Sequence, residues 1–160
     1  MKTWITASAA LMALAVGLAG SPAWAEGSGT FKYAEQVKLI TMDPQKQSGS
    51  GVPFLRPAYE SLFEKGPNGE NLPLLATDYK VDGLDVTITL RQGVSFSNGE
   101  PFNAEAAAKN INRGVELGIT EGLKTVESAS AADEFTLKIK LKEQDPEIID
   151  SLCYTGGMMI

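Results

Sequence analysis

The sequence predicts a mixed α/β fold in which one face of an antiparallel sheet is covered by a helix. Residues 85–91, DVTITLR, and residues 134–142, EFTLKIKLK, both alternate apolar and polar side chains, the pattern of a half-buried strand. Between them, residues 104–117 place alanines and aliphatic residues at helical spacing. Two strands with one polar face each indicate an antiparallel sheet whose other face is buried.

A strand–turn–helix corner is predicted where the first of these strands leads into the helix. Asn98 and Gly99 favour a turn, and Phe102 is an apolar residue just before the helix begins. Asn103 is a good N-cap, since its side chain can accept from free N–H groups of the first turn, and Gly118 can end the helix. The residues of this corner indicate scaffolding rather than chemistry.

Three further elements are expected before the corner. Residues 30–42 have the composition of a strand, and the polar run of residues 43–51 then forms a loop. Residues 52–65 show apolar side chains at helical spacing, which predicts a short amphipathic helix that Pro57 either begins or kinks.

Two signals complete the pattern. Asn68 and Gly69 favour a turn within residues 66–71. Near the end of the chain, Asp145 as cap and Pro146 at the first helical position predict a last short helix.

The first 25 residues have the layout of a secretory signal. Lys2 supplies the positive charge, residues 10–20 are an apolar run, and Ala23 and Ala25 fit a cleavage site, so we expect the exported chain to begin at Glu26. An uncleaved membrane anchor is the alternative. Without the leader, which holds one of the 14 basic residues and none of the 20 acidic ones, the net charge is −7. This balance argues against nucleic acid as a partner.

The residue types argue against an enzyme site. The chain contains no histidine and one cysteine, Cys153, whose apolar neighbours favour a buried thiol over a reactive one. The glycines form neither a dinucleotide-binding nor a phosphate-binding motif. We therefore predict no catalytic residue, no metal ligand and no cofactor.

Residues 58–114, from AYESLFEKGPNG to FSNGEPFNAEAAAKNINRG, resemble the signature region of the large extracytoplasmic solute-binding proteins of family 5, which serve dipeptide, oligopeptide and nickel ABC importers. The resemblance extends from about residue 38 to residue 160. It implies an α/β, two-lobed periplasmic binding protein of a type II-like architecture. In this arrangement residues 26–49 open lobe one, residues 50–160 form a small α+β subdomain, and the family chain continues beyond residue 160.

The resemblance also implies a function. The protein would be a free periplasmic monomer that captures a small solute and delivers it to an ABC permease driven by an ATPase subunit, without enzymatic activity. A peptide, an opine-like compound and a metal chelate are the solute classes considered. An exported sensor subunit that binds the same solute is the alternative from another class.

The family's contact positions can be carried over residue by residue. Gln47 and Val52 fall where nickel-binding members have a phenol and a thioether, and Thr155 falls near an arginine of those members. With the neighbouring Ser48 and Tyr154, they form the candidate solute-binding set. Because each matched position departs from the nickel-binding pattern, a peptide or other small polar solute is favoured over a nickel chelate.

Overall fold

The computed structural model describes residues 32, 36, 39–47 and 51–160. The predicted leader, most of the predicted first strand and Ser48 lie outside these residues. The chain divides into two units, Met1–Ala34 and Glu35–Ile160, and every helix and strand given below belongs to the second.

A four-stranded antiparallel sheet forms the centre of this unit. Its strands are β3 (Ala76–Asp82), β4 (Asp85–Leu90), β5 (Val126–Ala131) and β6 (Thr136–Leu141), in the spatial order β3-β4-β6-β5. Strands β4 and β6 pair directly, with Ile88 opposite Leu137 and Val86 opposite Ile139, and these four side chains are buried. The two alternating segments and their antiparallel pairing are therefore confirmed.

Helix α2 (Ala104–Leu117) covers the buried face of the sheet, where it packs against β5 and β6. The Asn103 side chain accepts from the Ala106 N–H at 2.9 Å, which satisfies one free donor of the first turn. Gly118 ends the helix in the left-handed region, at φ 68°. The Phe102 ring is buried and meets Phe96 edge to face. The predicted corner is confirmed.

The helix expected over residues 52–65 is wrong beyond its first turn. Helix α1 covers Val52–Leu55 only, because Pro57 has no N–H to continue the hydrogen-bond ladder. The chain then forms a small hairpin of β1 (Phe63–Lys65) and β2 (Asn71–Pro73), whose turn contains Gly69 at φ 85° as predicted. The apolar residues that suggested a helix are buried for another reason. Leu62 and Phe63 pack beneath the segment near Gly157, whose carbonyl accepts from the Leu62 N–H.

Two further boundaries differ from the prediction. Residues 39–42 are not a strand, because the N–H groups of Ile40 and Thr41 donate to the side chain of Gln47 rather than to a neighbouring strand. The last helix, α3, covers Ile148–Ser151 and begins two residues after Pro146. Asp145 still acts at this turn, since its carboxylate accepts from the Glu147 N–H at 2.8 Å.

The main core lies between the sheet and α2 and extends to α3 and the chain end. It includes Leu62 and Phe63 of the hairpin, Ile111 of α2 and Leu152 beside α3. No helix in the described part of the chain is long and apolar enough to cross a membrane.

Candidate functional site

The loop of residues 39–47 is fixed to α2 by a set of buried and part-buried polar contacts. Arg113 of α2 makes a two-pronged ion pair with Asp43, at 2.6 Å from Nη2 to Oδ2 and 3.2 Å from Nη1 to Oδ1. Arg113 Nη1 also donates to Gln45 Oε1. The Gln45 side-chain nitrogen donates to the backbone carbonyl of Asn110 at 2.7 Å, and the Gln45 backbone carbonyl accepts from the Thr120 hydroxyl at 2.9 Å. The loop is therefore fixed through the side chains of both Asp43 and Gln45.

Gln47, the first candidate contact, is turned into the protein. Its side chain is 4% exposed, and its Oε1 accepts from the N–H groups of Ile40 and Thr41, both at 3.1 Å. Its amide nitrogen is buried without a hydrogen-bond partner among the described residues. A side chain at Gly51 would lie 2.2 Å from that nitrogen, so the glycine leaves the space that Gln47 occupies.

The second candidate segment follows α3. Thr155 is 2% exposed, whereas Tyr154 is 38% exposed and presents its ring to solvent. The Tyr154 carbonyl accepts from the N–H groups of Gly157 and Met158, which closes a tight turn. A side chain at Gly157 would come within 1.9 Å of the Leu152 carbonyl oxygen, so this turn requires glycine there.

Both candidate segments contact Asn110 of α2, and no hydrogen bond joins Gln47 to Thr155 among the described residues. On one flank Val52 of α1 packs with Met158 in a small apolar cluster. On the other, Thr120 bonds the loop through Gln45. Of the four described candidates, Tyr154 offers the largest accessible surface, while Gln47, Val52 and Thr155 are buried.

The helix residues that hold these segments were missed by the sequence analysis. Asn110 and Arg113 contact four residues that lie 48 to 70 positions away along the chain: Asp43, Gln45, Met158 and Ile160. One signal was available: Asn110 is an amide on the apolar face of α2, between Ala107 and Gly114. A polar residue at such a position is normally hydrogen-bonded in the interior.

The charge state of the loop follows from these contacts. Hydrogen bonding to the Arg113 guanidinium holds the pKa of Asp43 below its usual value, and this outweighs the opposing effect of burial. The same contact raises the pKa of Arg113. Cys153 lies just after α3 and is fully buried, so the predicted burial of the thiol is confirmed, and this burial raises the pKa of the thiol.

Two open depressions lie beside the candidate segments. A cavity of about 290 Å³ is bordered by Tyr59, Leu75, Phe96 and Met159. A larger groove of about 1320 Å³ runs along α2 and shares Phe96, Ser97 and Ile160 with the cavity. None of the four described candidates, Gln47, Val52, Tyr154 and Thr155, lines either depression. Within the described ranges no group of three or more acidic, cysteine or histidine side chains is arranged to hold a metal ion.

The fold matches parts of two solved structures. The periplasmic oligopeptide-binding protein OppAIV from Borrelia burgdorferi matches 75% of this chain and 29% of its own, with a TM-score of 0.65 and 24% identity. A nickel ABC transporter from Bacillus halodurans matches 64% of this chain and 22% of its own, with a TM-score of 0.57 and 32% identity. These likenesses place the fold in the class of extracytoplasmic binding proteins.

The sequence comparisons identify the family. The pattern of the bacterial extracellular solute-binding proteins, family 5 Middle, matches residues 71–159, and the chain belongs to that family. The glutathione-binding protein GsiB of Salmonella typhi is 31% identical over 158 residues, which cover 94% of this chain and 30% of GsiB. The chain thus spans about 30% of the length of the curated relatives it matches. The resemblance drawn from residues 58–114 and the α/β class of periplasmic binding proteins that it implies are confirmed.

Proposed function

We propose that this protein is the periplasmic solute-binding component of an ABC importer and that it captures a peptide or another small polar solute. The observation that supports the proposal most is the similarity to GsiB along nearly the whole chain, because GsiB is named for binding glutathione, which is a tripeptide. On this proposal residues 26–49 open the first lobe and residues 50–160 form the small subdomain. Solute bound between the lobes would favour a closed form that docks on the permease.

Solute contact is proposed for Gln47, Ser48, Val52, Tyr154 and Thr155. Tyr154 is the best supported of the described four, since its ring is accessible and its backbone is fixed by two hydrogen bonds to its carbonyl. Gln47 supports the proposal in a different way. The N–H groups of its buried side-chain amide have no acceptor among the described residues, so they are available to donate to a solute.

The test uses the protein expressed from the whole reading frame that encodes these residues. Isothermal titration with reduced glutathione, with di- and tripeptides and with a nickel–histidine chelate is expected to give micromolar or tighter binding for glutathione or a peptide. Tyr154→Ala is the site variant, and Tyr79→Ala, an exposed tyrosine on β3, is its matched control. Absence of binding to every probe, or equal loss in both variants, would count against the proposal.

A metal chelate is the second candidate, favoured by the 32% identity to the nickel transporter of Bacillus halodurans. Binding of the nickel–histidine probe alone in the same titration would select it over a peptide.

Export is proposed through removal of residues 1–25. Mass spectrometry of the periplasmic fraction is expected to show Glu26 as the first residue, because Ala23 and Ala25 fit the signal peptidase. A chain that retains Met1 would refute cleavage at this position.

A further inference from the structure

One turn of α2 bonds the backbone of residues 158–160, at the end of the second candidate segment, through a donor and an acceptor of one side chain. Asn110 is 6% exposed, and its side-chain nitrogen donates to the Met158 carbonyl at 2.9 Å. Its side-chain oxygen accepts from the Ile160 N–H at 3.1 Å. The amide thus satisfies a donor and an acceptor of the same backbone segment, so residues 158–160 are fixed in register with the helix.

The same turn holds the first candidate segment. The backbone carbonyl of Asn110 accepts from the buried Gln45 amide, and Arg113 pairs with Asp43 at the start of the loop. Gly114 makes this approach possible, because a side chain there would lie 3.2 Å from the Gln45 nitrogen and 2.5 Å from Leu123. Residues 110–114 therefore contact both segments within one helical turn.

We infer that residues 110–114 of α2 position both candidate contact segments, and that Asn110 and Arg113 are positioning residues for the solute site although neither is a proposed contact. The inference rests on the proposed function for the solute itself. Its physical basis is that a binding loop held by buried hydrogen bonds loses less conformational freedom when solute binds. A rigid helix that both segments share also fixes their separation.

The chain offers a matched control on the same helix. Asn112 makes the same pair of backbone bonds as Asn110, since its side chain donates to the Ala129 carbonyl and accepts from the Ala129 N–H, both at 2.8 Å. Its partner is β5 rather than a candidate segment. Asn110→Ala and Asn112→Ala thus remove the same chemistry from the same helix and differ in which backbone they release.

The experiment compares Asn110→Ala, Arg113→Met and Asn112→Ala in the protein expressed from its whole reading frame. Amide hydrogen exchange should accelerate at Ile160 in Asn110→Ala, at Ile40, Thr41 and Gln45 in Arg113→Met, and at Ala129 alone in Asn112→Ala. Affinity for reduced glutathione should fall about tenfold in the first two variants and stay within about threefold in the third. Arg113→Lys, which keeps a cation beside Asp43, should recover part of the loss.

The two measurements separate the inference from the function on which it rests. Exchange needs no solute, so a wild-type protein that binds none of the probes would refute the proposed function while the exchange pattern still decides whether residues 110–114 hold the two segments. The inference is overturned if amide exchange is unchanged at Ile160 in Asn110→Ala and at Ile40 in Arg113→Met. It is also overturned if the glutathione affinity of Asn112→Ala falls as far as that of Asn110→Ala.

Discussion

Gly114→Ala should destabilise the protein, although alanine is the better helix former. In an unobstructed helix interior the change would stabilise by about 1 kcal/mol, because glycine loses more backbone freedom on folding. Here the new Cβ would lie 2.5 Å from Leu123 Cδ1 and 3.2 Å from the Gln45 amide nitrogen. Leu123 and Gln45 are both buried, so neither has free space into which to move.

The magnitude follows from the competition between these two effects. Overpacking a filled core typically costs about 1–3 kcal/mol, which exceeds the gain in helix propensity. We therefore expect a net loss of about 1 kcal/mol in the free energy of unfolding, measured by urea denaturation of the purified protein. Lys109, exposed on the same helix, supplies the reference: Lys109→Ala and Lys109→Gly should differ by about 1 kcal/mol in favour of alanine.

A double-mutant cycle with Leu123→Ala identifies the cause. Removing the leucine branch removes the atom nearest the new Cβ, so Gly114→Ala should be neutral or stabilising in that background. The steric conflict at Gly114 is refuted if Gly114→Ala stabilises the wild-type background by the full difference seen at Lys109. It is also refuted if the two changes are additive, because the cost would then come from elsewhere.

Three other predictions concern stability and reactivity. Phe102→Ala should lower the free energy of unfolding by about 3–4 kcal/mol, because the ring is buried against Phe96. Asn103→Ala should cost about 1 kcal/mol through loss of the helix cap. Equal urea midpoints for the two variants would contradict the assignment of Phe102 to the core and Asn103 to the cap. Asp43→Asn should cost about 1 kcal/mol near neutral pH, since the pair with Arg113 is partly solvated. Because the folded pKa of Asp43 is lowered, this contribution is present above the ordinary value of 3.8 and disappears as the pH falls through the folded value, so wild type and variant should converge in acid urea titrations. Cys153 should react with a thiol reagent only as fast as the native protein opens, because burial both shields the thiol and raises its pKa; immediate modification without denaturant would show that the thiol is accessible.

The elements that could be predicted from sequence carry their signal locally. The alternation in residues 85–91 and 134–142 shows one face of a sheet buried, and the Asn103 cap and Gly118 end mark a helix within a single window. The order of turn, apolar anchor and cap in residues 98–103 likewise marks the strand–turn–helix corner. Each of these signals depends on backbone geometry that a residue imposes on its near neighbours.

The wrong and missed elements depend on distant partners. Strand β3 is almost wholly exposed, so it shows no alternation, and its place at the sheet edge is decided by pairing with β4. The apolar spacing of residues 55–62 fits a helix, yet the burial of Leu62 and Phe63 comes from the segment near Gly157. The spacing of apolar residues cannot distinguish a helix from this hairpin, because either structure would bury the same apolar side chains.

The candidate site divides in the same way. The family, the strand–turn–helix corner and the positions at which solute contacts are proposed could all be predicted from the sequence. The folded structure was needed to show that Gln47 is turned inward, that Tyr154 is the accessible one of the four described candidates, and that Asn110 and Arg113 contact both segments. The physical reason is that a hydrogen bond between groups 48 to 70 positions apart leaves no periodic trace in the chain; it exists only after the core has brought its donor and acceptor together.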